Sequence, residues 1–565
     1  VSASRRGPTD LVVLLAVVGF LATIAWLGHG MWSPLGPQAS TTIDLDPLRL
    51  PYYAARSLLR MFLALGASLV FTLVVGSWAA RSPRSARLIL PGLDILQSVP
   101  VLGFLSATVT FFVSLTPGHL LGLELAAVFA IFTSQVWNLT FAFYHALMTL
   151  PREQAEAVRL YRLSGWQRFT HFELPAAVIP LVWNGMMAFG GGWFFLAASE
   201  AITVLDHEFL LPGLGSYAAV AVKRQDLGAL AWALLVMTGL IVLVDRAFWR
   251  PLVAWSQRFR LEQTQAEVEV RSSVLDLIRR SHLTSWLEGI LVGLDEAVSR
   301  RRPRPALATD RSRETASELW VDRGVTLVLW SALVGLALRG TAFVATEVDR
   351  VEVLRVLGYG VLTLGRVAAV VTVSTVLWTP VGVWIGLNPR LSRTAQPIVQ
   401  ILAAFPANFL FPLVAVALVK WHLSLEWSAA FLMALGAQWY VLFNTIAGAM
   451  AIPNDLREMA RDLGLSGSRL WRAVILPAIF PCWVTGALTA AGGGWNASIV
   501  AEVVTWGGTT LTATGLGSYM AAATTAGDWP RIVLGVATMS ACVIALNRLV
   551  WRPLERLATS RFRLE

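Results

Sequence analysis

Gly190-Gly191-Gly192-Trp193, with Glu200 seven residues after the tryptophan, occurs again as Gly492-Gly493-Gly494-Trp495 with Glu502 at the same distance. Each copy follows a polar, arginine-bearing segment that ends in Leu-Pro, at Leu174-Pro175 and Leu476-Pro477. Each is followed by Gly-Leu-Gly-Ser-Tyr, at Gly213 to Tyr217 and Gly515 to Tyr519. From Pro151 and Pro453 through Trp249 and Trp551 most landmarks keep one offset of 302 residues. The chain is therefore a duplication. Three glycines, a tryptophan and an acid inside an apolar run describe a backbone shaped to meet something within a membrane.

The composition agrees. Of 565 residues, 56% are hydrophobic and 14% charged, with mean hydropathy +0.62. A soluble protein carries about 25% charged residues. The net charge of +10 is almost all arginine, the only lysines being Lys223 and Lys420. These arginines lie between apolar runs, where they act as topology signals rather than a nucleic-acid surface. The two cysteines, Cys482 and Cys542, lie in apolar runs and allow neither a disulfide framework nor a metal cluster.

Runs long enough to span a bilayer, about 20 residues each, predict about twelve helices. In the first half they are Leu11–Leu27, Ser57–Ala80, Leu88–Leu115, Leu123–Leu150, Ala176–Val204 and Leu227–Phe248. The first run has a signal-peptide-like start but no clear cleavage site, and reads as a retained helix. In the second half they are Gly324–Val344, Tyr359–Leu387, Ala395–Leu418, Trp427–Met450, Ala478–Val504 and Ile532–Val550. Arginines in alternate loops (Arg81, Arg84 and Arg87; Arg152 to Arg168; Arg246 to Arg260) predict that those loops and both termini are cytoplasmic. Six helices per half predict parallel halves related by an axis along the membrane normal. The expected domains are residues 1–250, a charged cytoplasmic linker 251–322, and 323–565. Within the linker, Val274 to Val298 has apolar residues at helical spacing, fitting an amphipathic helix on the membrane surface or a helix packed on protein.

Before each glycine stretch lies a polar elbow. One runs from Pro151 through Glu156, Ala157 and Gly165 to Pro175; the other from Pro453 through Glu458, Met459, Gly464 and Gly467 to Pro477. Proline suits a first helical turn and glycine a break, so each elbow reads as two short helices. This Glu-Ala-x…Gly…Leu-Pro pattern resembles the coupling loop of ABC importer permeases. The match has one departure: Arg162 stands where the second copy has Gly464. The Gly-Gly-Trp…Glu…Gly-Leu-Gly arrangement resembles the nitrate/sulfonate/taurine branch in its duplicated, fused form.

That resemblance implies an all-α polytopic fold of two tandem type I importer transmembrane domains in a bacterial inner membrane. It implies two ABC ATPase subunits gripping the elbows at Glu156, Ala157, Gly165, Glu458, Met459, Gly464 and Gly467. An extracytoplasmic binding protein would deliver a small anion such as nitrate, sulfonate or bicarbonate. ATP and magnesium would sit on the partners, and this chain would bind no cofactor. Independently of the resemblance, neither lysine lies in the Gly-x-x-x-x-Gly-Lys context that a phosphate loop needs.

The glycine stretches are candidate cavity linings: Gly190, Gly191, Gly192 and Trp193, with Gly492, Gly493, Gly494, Trp495, Asn496 and Ser498. Indole N–H groups donate only, which suits an anion, whereas glycines alone more often serve close packing. Glu200 and Glu502 repel anions. Their better reading is structural, paired with arginine or bonding backbone at a helix end. Phe194-Phe195 follows the first tryptophan and Asn496-Ala497 the second, which predicts a lopsided cavity with polar contacts mainly from the second half. Two alternatives stay open: a ferric-ion or other metal importer, and a secondary transporter or membrane enzyme working without ATPase partners.

Overall fold

The computed structural model describes residues 22–34, 43–150, 163–204, 207–259 and 338–561 continuously, with positions 19, 160, 275–276, 327, 331 and 334–335 between them. Glu156, Ala157, the 251–322 linker apart from 251–259 and 275–276, and much of the expected helices at 11–27 and 324–344 lie outside the described residues.

In the first half, α1 (Leu50–Phe71) runs on through a π turn at Thr72–Gly76 to Arg81. A bent pair follows, α2 (Pro83–Ser98) and α3 (Leu105–Leu115). Next come α4 (Leu121–Met148) and the central helix α5 (Leu174–Glu200). A hairpin of β1 (Ala201–Val204) and β2 (His207–Leu210) leads to the short α6 (Leu214–Lys223) and then α7 (Leu227–Val244). The second half repeats this order. Its elements are α8 (Arg350–Gly386), the bent pair α9 (Pro389–Ala404) and α10 (Phe411–Lys420), and α11 (Leu425–Met450). The elbow helix α12 (Asn454–Asp462) and the central α13 (Leu476–Ala501) follow, then β3 (Val503–Trp506), β4 (Thr509–Thr512), α14 (Leu516–Ala526) and α15 (Trp529–Leu546).

Among the described residues eight helices are long and apolar enough to span a membrane, or ten if each bent pair counts as one. The runs Leu88–Leu115 and Ala395–Leu418, expected as single spans, are these pairs. They bend by 83° and 71°. Val99 and Phe405 precede Pro100 and Pro406 and are extended, with ψ of 119° and 128°. Proline's ring disfavours the helical state in the preceding residue and its nitrogen donates no hydrogen bond. The expected helices Ala176–Val204 and Ala478–Val504 also end early, at Glu200 and Ala501. Their last apolar residues form β1 and β3. Ile202, Thr203 and Val204 are β-branched and favour the strand. In addition, the Glu200 carbonyl accepts from Leu211 N at 2.9 Å and the Glu502 carbonyl from Ala513 N at 2.8 Å, tying the hairpin's return strand to the helix end.

Two apolar cores form, one mainly of first-half residues around Phe143, Phe189 and Trp193, the other mainly of second-half residues around Met433, Val441 and Trp495. Val101, Leu102, Leu105 and Ala130 of the first half join the second core, and Phe409 joins the first. Several contacts join the halves. The Gly507 N–H at the second hairpin's tip donates to Val222 O at 3.1 Å, in the last turn of α6. Trp506 packs on the first core and Ile202 on the second. Near the opposite, arginine-bearing end, Arg552 pairs with Asp94 at 2.5 Å, and Gln400 Nε2 donates to Asp245 Oδ1 at 3.2 Å.

Candidate functional site

Glu200 ends α5 fully buried, and everything around it is arranged to hold its charge. It accepts from Ser57 Oγ, Arg60 Nη1 and Gly215 N, each at 2.6 Å. Arg60 also donates to Glu124 through Nε at 2.5 Å and Nη2 at 2.8 Å, and Arg56 pairs with Glu124 from the other side. A buried charge is tolerable only when paired and hydrogen-bonded, and here two guanidiniums face two carboxylates. The second half rebuilds the arrangement with one arginine. Glu502 accepts from Thr363 Oγ1 at 2.9 Å, Arg366 Nη1 at 2.8 Å and Gly517 N at 2.7 Å. Arg366 reaches Glu426 at 2.7 Å.

The Gly-Leu-Gly motif exists to let these carboxylates in. A Cβ on Gly213 would lie 2.2 Å from Glu200 Cδ, and one on Gly515 would lie 2.2 Å from Glu502 Oε2. Gly215 and Gly517 press on the carbonyls of Ala197 and Ser498, where a Cβ would come within 2.6 and 2.4 Å. The motif's tyrosines finish the lock. Tyr217 donates to Leu45 O at 2.8 Å and Tyr519 to Glu352 at 3.0 Å. Burial, reinforced by the Glu352 carboxylate, keeps the Tyr519 proton on well above the usual phenol range. Arg60, Arg366, Glu124, Glu426, Ser57 and Thr363 were not singled out in the sequence. The arginines recur in the two halves, but α1 and α8 fall outside the stretch that keeps the 302-residue offset, which hides the match.

The glycine triplets divide between packing and open space. Gly192 closes on Gln135 and Met61, and Trp193 (1% exposed) meets Phe189 edge to face at 5.6 Å. Trp495 (2% exposed) and Ser498 are also buried. Ser498 Oγ donates to Trp495 O at 2.8 Å, and the Trp495 indole nitrogen has no partner among the described residues. Trp495 and Ser498 thus face the core of their own half. Gly190 and Gly191 face the other half, with Ala404 Cβ and the Tyr440 hydroxyl each 3.3 Å from the Cβ position. Gly493 meets the edge of the same Tyr440 ring, Gly494 meets Val367, and Gly492 meets nothing within 4 Å. Asn496 crosses the midline, its Oδ1 accepting from Val101 N at 3.1 Å, and Asn408 makes the reciprocal bond to Phe194 O at 3.2 Å. A cavity lies between the halves beside Met187, Gly190, Trp193, Ala404, Tyr440 and Asp245.

At the arginine-bearing end, α12 exposes Glu458, Met459 and Leu463 and buries only Ala460. Gly464 (φ 63°) and Gly467 (φ 52°) take the left-handed conformation that glycine adopts without strain, and Leu465 N bonds back to Ala460 O at 2.9 Å. In the first elbow Gly165 is exposed and opens a short helix capped by Ser164, whose side chain accepts from Gln167 N at 3.2 Å.

The model of one family, described as binding-protein-dependent transport system inner membrane component, matches this chain twice, over residues 72–248 and 379–551. The chain belongs to that family. It is a duplicated, multi-pass membrane member of these inner membrane components, with one copy on each side of the midline. Among similar proteins is the bicarbonate transport system permease protein CmpB of Synechococcus elongatus, 32% identical over 192 residues, or 34% of this chain and 65% of the relative. The nitrate import permease protein NrtB of Leptolyngbya laminosa is 29% identical over 188 residues, 33% of this chain and 64% of the relative. The putative aliphatic sulfonates transport permease protein SsuC of Escherichia coli is 38% identical over 112 residues, 20% of this chain and 41% of the relative. The match thus spans just under two thirds of the length of the bicarbonate and nitrate relatives.

Proposed function

We propose that this chain is the complete transmembrane pathway of an ATP-driven importer for a small anion, with both permease domains fused in one polypeptide. The double family match carries the reading, since it supplies in one chain the two copies that a central pathway needs. The relatives' names, all of anion permeases, support nitrate, bicarbonate or a sulfonate as cargo. Residues 1–250 and 323–565 are the two domains, and 251–322 is the cytoplasmic linker. The membrane is a bacterial inner membrane. A pair of ATPase subunits carrying ATP and magnesium engages the elbows, at Glu156, Ala157 and Gly165 on one side and Glu458, Met459, Gly464 and Gly467 on the other. An extracytoplasmic binding protein docks at the hairpin end. The exposed apolar residues of α12 support the ATPase contact, because an isolated helix face of this kind gains by burial against a partner.

The test is reconstitution of the chain with its ATPase and binding protein in vesicles, followed by ATP-dependent uptake of labelled nitrate, bicarbonate and sulfonate. Uptake of one of these that requires both partners is expected. Gradient-driven uptake by the chain alone, without ATP, would overturn the proposal.

A further inference from the structure

We propose that the anion passes on one side of the midline, along a polar ladder on α13, and that the matching stripe of α5, lined mainly by apolar side chains, is not part of its path; this rests on the small-anion reading above. Thr485, Thr489, Gly492 and Asn496 fall within one narrow stripe of α13 by helical spacing. Asn496 shows that the stripe faces the first half, because it bonds Val101 there. Its Gly492 meets open space. The donors are parked on their own helix: Thr485 Oγ1 on Pro481 O at 3.1 Å, Thr489 Oγ1 on Thr485 O at 2.8 Å, and Asn496 Nδ2 on Gly492 O at 3.2 Å. Those carbonyls are already used by the helix ladder, so each donor can turn to a passing anion without stranding a polar group.

The same stripe one repeat earlier, on α5, reads Trp183, Met187, Gly190 and Phe194. It offers no hydroxyl or amide donor beyond an indole. There Ala404 and Tyr440 close on the glycines at 3.3 Å, and the cavity that remains holds Asp245, whose carboxylate is already taken up by Arg250 at 2.9 Å and Gln400 at 3.2 Å. A largely apolar space whose carboxylate already occupies the neighbouring arginine and amide donors repays little of an anion's lost hydration. The position matching Tyr440 in the first half is Asn138, which is exposed, as is Gln97 on α2. The shorter side chain leaves room where tyrosine fills it, and the added groups are amides that can donate.

The test uses the full complex with Cys482→Ala and Cys542→Ala as background, and an anionic, membrane-impermeant methanethiosulfonate as probe. Thr489→Cys and Gly492→Cys are expected to react, to be protected by the transported anion, and to lose uptake once labelled. Met187→Cys is expected to gain no protection from the transported anion and to keep uptake once labelled. Thr489→Val, which keeps the shape, should lower subsaturating uptake about fivefold, the worth of one hydrogen bond, while binding-protein-stimulated ATP hydrolysis persists. Protection at Met187→Cys, or none at Thr489→Cys, would overturn the one-sided path. If the unmodified complex takes up no anion at all, the small-anion reading fails instead.

Discussion

Removing the Glu200 side chain would leave Arg60 buried with half its neutralising charge gone. Such a loss costs about 3–5 kcal/mol, so Glu200→Ala is expected to lower the unfolding midpoint in detergent strongly. Glu426→Ala should cost about 1 kcal/mol or less, because Glu426 is 42% exposed and water screens its pair with Arg366. Equal losses for the two variants would contradict the burial assigned to them. Gly515→Ala should prevent accumulation of folded protein, since its Cβ would overlap the Glu502 carboxylate. At this scale the sequence was half legible. The two acids and the Gly-Leu-Gly after them stood out by repetition. Their arginine partners did not, because a buried arginine on α1 looks like any other in a chain whose positive charge is nearly all arginine.

Elements were legible where periodicity was long and uninterrupted. The central helices, the second elbow and the order of spans follow from apolar runs and proline placement. Pro100 and Pro406 marked breaks or kinks in their runs, but not how sharply these bend, and the hairpins after Glu200 and Glu502 were hidden inside apolar runs. Composition does not separate a buried strand from a helix end over four residues. The second hairpin gives a sharp test. Gly507 has φ 58°, and a Cβ there would lie 2.0 Å from Gln225 Nε2 across the midline. Gly507→Val is therefore expected to strain the turn by about 1–2 kcal/mol and to loosen the hairpin from the first half. Faster hydrogen exchange at Val503 to Thr512 would report this, and unchanged exchange would contradict it. On α12, Leu463→Asp should leave the unfolding midpoint unchanged but reduce recovery of the ATPase with the purified chain; full recovery would remove Leu463 from the proposed contact.

At the scale of the whole molecule, the halves meet through the midline helices, the hairpin tip and the Asp94–Arg552 pair, and first-half residues from Val101 to Leu105 pack into the second half's core. A protease site introduced between residues 277 and 326 is therefore expected to yield two fragments that stay together in mild detergent and retain uptake. Separation of the fragments on cleavage would make the linker essential to assembly. The duplication, and with it this architecture, was the most legible feature of the sequence; the sidedness of the midline was visible only as Phe194 against Asn496. The acid–arginine locks have a consequence for how the chain can change over generations. Each lock draws every partner from its own half. In an assembly of two identical chains, any midline substitution appears twice, and the pathway stays symmetric. Here a mutation strikes one side only, and the scaffolding that keeps the other half folded does not feel it. A saturation mutagenesis map should accordingly show matched intolerance at Arg60 and Arg366, at Glu200 and Glu502, and at Gly213 and Gly515, with unmatched tolerance at Thr489 and Met187.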